Sequence, residues 1–144
     1  MTTPAFNYLS VEDALIERLR SCLPDLADVR SEASLDGVKG AQLPTPSALV
    51  LWAGDQVIHD SNPKAQLVAQ TWVVCLVVKH SGDRTGAQAR DAAGPLITQV
   101  IQAVRGWAPF DGADEFRWTE GVQPELVPGG TLYVPLAFRT AFVL

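Results

Sequence analysis

The chain reads as an α+β protein. The expected architecture has two layers: a mainly antiparallel β-sheet with two helices packed on one face, in the order α-β-β-β-α-β-β. Three observations predict it. Apolar residues recur at spacings of three and four in two stretches, about Val11 to Leu23 and about Ala87 to Gly106, as in amphipathic helices. Two long apolar segments, Ser47 to His59 and Gln66 to Lys79, flank a turn-forming stretch and make a hairpin. The last residues, TLYVPLAFRTAFVL, alternate as a strand does. Strands joined by short turns pair antiparallel, and the helices must bury their apolar stripes on the sheet.

Taken in order, Met1 to Leu9 is a lead-in whose Phe6, Tyr8 and Leu9 are free to pack on the body or on a neighbour. Ser10 reads as an N-cap, with Glu12 and Asp13 suited to the positive end of a helix. Leu15, Leu19 and Leu23, with Ile16 and Cys22, form its apolar stripe, and Pro24 ends it. Val29 to Leu35 alternates as a modest strand with one wet face. Asp36 to Pro46 is rich in turn formers and reads as a flexible connection.

The hairpin turns through Asp60 to Ala65, where Asn62-Pro63 favours a turn, and HSGDRTG leads into the second helix. Gly94-Pro95 interrupts that helix, predicting either a kink or a first true turn at Pro95. Glu115 to Glu120 reads as a short strand carrying Phe116 and Trp118. Val122 to Gly130, with two prolines and a Gly-Gly pair, reads as a loop or distorted hairpin. In the closing strand Leu132, Val134, Leu136, Phe138, Thr140 and Phe142 share one face. Pro135, with no N–H to give, belongs at an edge or bulge.

The hairpin is the most informative feature. Trp72, Leu76 and Val78 point one way and Val73, Cys75 and Val77 the other, so both faces are apolar near its middle. A half-wet antiparallel sheet would show polar residues on one of them. Two helices cover one face, and the other needs a second sheet layer or another copy of the chain. The residues expected at a subunit interface are Trp52, Trp72, Val73, Cys75 and Val77.

At 144 residues and 47 % hydrophobic, the sequence fits one domain, residues 1–144, with a sizeable core. The N-terminus lacks the basic and apolar regions of a signal peptide, and the longest apolar run, Trp72 to Val78, is too short to span a bilayer, so a soluble, unexported protein is expected. The net charge of −5 comes from residues 1 to 60, with nine acids against four bases. No window supplies the basic footprint that a nucleic-acid binder needs. Cys22 and Cys75 stand far apart with no C-x-x-C motif, and are expected as two buried free thiols.

No motif spells out a chemistry. His59 and His80 are the two histidines, set about 45 Å apart along an extended hairpin, too far to share a metal. HSGDRTG lies where phosphate loops lie but lacks their glycine spacing and lysine, so Asp83 or Thr85 is expected to cap a helix instead. Ser81, His80 and Asp83 are sequence neighbours, which rarely converge into a triad. Asp111, Asp114 and Glu115 fit no calcium loop. Trp52, Trp72, Trp107 and Trp118 read as core residues rather than a base-stacking platform. No enzyme activity and no cofactor is expected.

The order and pattern of these elements nonetheless resemble a known group, the tail terminator (minor tail) proteins of long-tailed bacteriophages. The resemblance spans a capped first helix (SVEDALIERLRSCLP), the apolar hairpin (ALVLWAGDQVI and AQLVAQTWVVCLVV), a helix ending in tryptophan (PLITQVIQAVRGWAP) and a last strand, LYVPLAFRTAFVL. The segment VRGWAP, followed by a loop and an aromatic strand, is the part most like the family. The resemblance implies a homo-hexameric ring that caps the tail tube, stops its polymerisation and offers the head-joining surface. Its implied partners are further copies of itself, the tail tube protein and a head-completion or neck protein, with DNA passing through without specific binding and no membrane contact. Two other readings stay open: another phage neck component, such as a head-closure or head–tail adaptor protein, and a cytosolic α+β ligand-binding or small enzyme domain.

Overall fold

A computed structural model describes residues 6–40, 42–58, 62–120 and 122–144. The elements are α1 (Ser10–Cys22), β1 (Asp28–Ser31), α2 (Leu35–Gly40), β2 (Ser47–Ile58), β3 (Leu67–Lys79), α3 (Ala87–Val104), β4 (Arg117–Thr119), β5 (Glu125–Val127) and β6 (Thr131–Val143). They form the expected α+β arrangement around one six-stranded sheet, ordered β1-β2-β3-β6-β4, with β5 also paired to β6. All pairs are antiparallel except β1 with β2, which run parallel.

The three long strands form because their β-branched and aromatic residues suit a pleated surface buried on both sides. At the hairpin turn, the Ala65 N–H donates to the Asn62 carbonyl and the Lys64 N–H to the Asn62 side chain, as the Asn-Pro signal predicts. β2 and β3 stay in register from Ser47↔Val77 to Trp52↔Trp72. A bulge follows, and pairing resumes at Asp55↔Gln70. Gly54 sits in that bulge at φ +110°, a backbone conformation that side-chain-bearing residues rarely adopt.

Both long helices cover one face. Val11, Leu15, Leu19 and Leu23, spaced by four, make a single ridge that lies over β1 and β2 and beside α3, while α3 covers β3 and β6. All join one core with Val50, Trp72, Val74, Leu76 and Phe138. Cys22, in the last turn beside that ridge, is exposed, so the expectation of two buried thiols holds only for Cys75. The cap of α1 also differs from expectation. Leu9 is the N-cap residue and makes no side-chain bond, while Asn7 holds the turn, its Oδ1 accepting from the Leu9 N–H and its carbonyl from the Ser10 N–H. α3 continues through Pro95, whose ring lies on the exposed side, where water can serve the carbonyl it cannot bond.

The second face holds the main departures. Instead of a strand running to Leu35 and a flexible connection, the chain ends β1 at Ser31 and forms the short helix α2. Val38 is fully buried there against Leu49, Leu51, Val73, Cys75, Val77, Tyr133 and Ala137, with Leu35, Leu43 and Val127 packed at the margin. Burying one such valine stabilises by about 1.5–3 kcal/mol. The Lys39–Glu125 ion pair that joins α2 to β5 is solvent-exposed and contributes little beside it. The cover that the apolar second face requires is thus supplied, around Leu49, Leu51, Val73, Cys75 and Val77, by the chain itself.

Pro135 sits in β6 opposite Cys75 of β3. On the other side of β6, β4 pairs with residues 137–139 and β5 with 131–133, so Pro135 falls in the interval between them. That is the gap its missing N–H calls for.

Candidate subunit interface

The five residues expected at an interface do not lie together. Register puts Trp52 and Trp72 on the face that carries the long helices, with Val50 and Val74, and puts Val73, Cys75 and Val77 on the other. Trp72 is 1 % exposed and belongs to the helix-side core, and Val73, Cys75 and Val77 lie under α2 and its flanks. Trp52 alone of the five is open to a neighbour, at 47 %.

Trp52 stands on a polar scaffold. Its indole N–H donates to Asp55 Oδ1 at 2.9 Å, and the Tyr8 hydroxyl donates to Asp55 Oδ2 at 2.8 Å. Beneath them the buried Gln70 donates to the Tyr8 carbonyl at 2.9 Å and accepts from the Trp72 indole at 3.0 Å. Burial and the hydrogen bond to Asp55 raise the Tyr8 hydroxyl above its ordinary pKa. One lead-in residue is therefore tied to two positions on the sheet, Asp55 and Gln70. Phe6 packs edge-on against Phe110 and Phe142 beside it.

Exposed apolar side chains gather at this end of the sheet. Val57, Val143 and Leu144 lie at the turn end of the hairpin or the β6 terminus, Phe6 packs on Phe142 beside them, and Trp52 stands at mid-strand, linked through Asp55 to Tyr8. Trp118 is similarly exposed on β4 at the opposite edge. Trp107, by contrast, is half-buried, stacked on Phe116 and capped by the Arg18 guanidinium 5.3 Å from its ring.

Of the residues considered for chemistry, Asp83 has a structural role. Asp83 accepts from the Gly86 and Ala89 N–H groups, both at 3.0 Å, at the start of α3. Those hydrogen bonds, the Ala89 one foremost, hold its carboxyl below the usual range. His80 and Ser81 are exposed at the strand end, and His59 lies outside the described residues. Among the described residues no group of three or more His, Cys, Asp or Glu is placed to hold a metal ion. A depression of about 670 Å³ beside Arg105, Asp114, Glu115 and Arg117 is lined by charge, with no histidine, thiol or hydroxyl side chain. Among the described residues no helix is long and apolar enough to cross a membrane.

Fold and surface together define a class: an α+β protein with exposed apolar side chains at the edges of its sheet. The chain belongs to the phage tail terminator protein family, whose model matches residues 5–144. This is a structural family of the virion tail, not an enzyme family. Among solved structures, a chain from the "Virion of native gene transfer agent (GTA) particle" is similar at a TM-score of 0.58 and 14 % identity, over 96 % of this chain and 100 % of that one. At that identity the likeness concerns the fold. No curated protein matches the chain.

Proposed function

We propose that this tail protein assembles as a homo-hexameric ring that caps the tail tube, ends its polymerisation and presents the surface to which the head joins. The observation that carries the reading is the family match across nearly the whole chain. A cap must bind one tube end and offer no copy of that binding surface to a further tube subunit. The exposed apolar surface around Trp52 and Val57 suits protein contact. The turns at His80–Gly86 and Val122–Gly130 lie side by side, joined by the hydrogen bond from the His80 N–H to the Gly130 carbonyl, and their exposed residues offer a surface to the tube or a neck protein. The acidic balance of residues 1 to 60 disfavours a grip on DNA passing through the ring.

In this reading the chain is one domain across residues 1–144. The interface centres on Trp52, while any contact through Val73, Cys75 and Val77 requires α2 to move aside. Deleting the gene from its phage tests the function. The expected micrographs show intact heads and unattached tails of abnormal length. Normal tails joined to heads would exclude termination, and normal-length tails left unattached would favour a neck protein instead.

A further inference from the structure

One rung of the sheet is aromatic across its whole width. Trp52 of β2 pairs with Trp72 of β3, Trp72 with Phe138 of β6, and Phe138 with Trp118 of β4. The inner two are buried, at 1 % and 0 % exposure, and the outer two stand open at 47 % and 51 %. These outer tryptophans occupy opposite edges of the sheet on the same face. At the first edge, β1 stops pairing at Val50, so β2 has no strand beside it from Leu51 to Ile58. At the second, β4 is the last strand.

The backbone at both ends of the rung faces outward. The Val50 carbonyl accepts from the Glu32 N–H on the β1 side, so Trp52, two residues on, turns its N–H and C=O to the same side. Phe116 exchanges hydrogen bonds with Gly106 and Trp107 on the outer side of β4, so Trp118 likewise presents its N–H and C=O outward. Two antiparallel residues that both face the gap are the pair that exchanges two hydrogen bonds. Successive antiparallel pairings across the sheet also leave β2 and β4 running in opposite directions, as a further antiparallel pair requires.

We propose that a second copy of this chain docks its β2 edge on the β4 edge, with Trp52 of one copy opposite Trp118 of the next, so that the sheet and its aromatic rung continue from subunit to subunit. This rests on the ring reading and specifies its joint. The contact is head-to-tail, using two different surfaces of each copy, which is the kind that closes into rings. In this register Arg117 falls opposite Ala53, on the face away from the two tryptophans. Residues 51–58 carry no lysine or proline, the usual guards of an edge that must stay unpaired. Half-exposed tryptophans are the side chains most often found carrying such contacts.

The test uses Trp52→Lys and Trp118→Lys, both at exposed positions, with mass read by light scattering and folding by circular dichroism. Wild type is expected near six times 15.5 kDa and each variant as a folded monomer. Mixed together, the variants are expected to form heterodimers and stop, because each pair retains one intact joint. Rings from both variants alongside wild-type rings would overturn the joint and leave the ring reading standing. Monomeric wild type would overturn both. Should either variant fail to fold, Ala53→Cys with Arg117→Cys in a Cys22→Ser background decides. Oxidation is expected to link copies into a covalent ladder, and assembled but unlinked copies would refute the pairing.

Discussion

Trp72 and Gln70 are hydrogen-bonded to each other inside the core, the indole N–H donating to Gln70 Oε1 at 3.0 Å. Two residues apart on β3, they share the helix-side face. Gln70 is fully buried, and its amide also donates to the Tyr8 carbonyl. A polar side chain in an apolar interior is tolerated because every partner is supplied, and the result fastens the lead-in to the sheet.

Gln70→Leu preserves the volume but orphans the Trp72 indole and the Tyr8 carbonyl. Leaving a buried donor unpaired costs about 1–3 kcal/mol. Denaturant unfolding is expected to show a loss of that size, with hydrogen exchange speeding up around residues 6–10. An unchanged midpoint would mean that water replaces the amide.

Asp83→Ala removes the carboxylate that serves the Gly86 and Ala89 N–H groups, and lowers thermal stability although no catalytic role is lost. The sign in pH follows from its depressed pKa. The stabilisation is present above the ordinary carboxylate value of 3.8 and is lost as pH falls through the lower folded value. Wild type and variant stabilities should therefore differ at neutral pH and converge in strong acid. Parallel curves down to that range would contradict the role.

The two thiols are expected to react unequally. Burial pushes the Cys75 thiol up to about 12, whereas Cys22 is exposed. The thiolate is the reactive form, so a native alkylation should add one label by mass spectrometry and a denatured one two. The raised value also means that Cys75 keeps its proton in the folded state while the unfolded thiol loses it above about 9, so its share of stability falls between about 9 and about 12. Two labels under native conditions would show that α2 does not shield this face.

Gly130→Ala should be severe. Its φ of +92° disfavours a side chain, and an added Cβ would lie 2.0 Å from the His80 carbonyl oxygen, which is backbone. The conformational strain alone is about 1–3 kcal/mol, and the clash must also break the approach in which the His80 N–H donates to the Gly130 carbonyl. Gly129→Ala shares the positive φ but meets nothing within 4 Å, so the difference between the two measured stabilities isolates the clash.

What was legible in the sequence follows how local each element's cause is. α1, α3, the hairpin and β6 carry strong periodicities, and their positions agree with the reading to within a few residues. α2 has six residues and two glycines, so nothing intrinsic predicts it; it exists because Val38 finds an apolar sheet to cover. The parallel pairing of β1 depends on a non-local contact. β5 hides among the prolines and glycines of Val122 to Gly130.

The interface was only partly legible. Simple alternation already separates Trp72 from Val73, Cys75 and Val77. Their burial beneath α2, however, requires an element the pattern could not show. The alignment of Trp52, Trp72, Phe138 and Trp118 depends on strand order and register, which no single stretch encodes.

The central claim is that this protein stops a growing tail tube. Adding it to purified tail tube protein during polymerisation, and measuring tube lengths by electron microscopy, addresses that claim most directly. The account predicts shorter tubes, each bearing a ring at one end, in proportion to the protein added. Tubes that grow to the same length with both ends bare would contradict it.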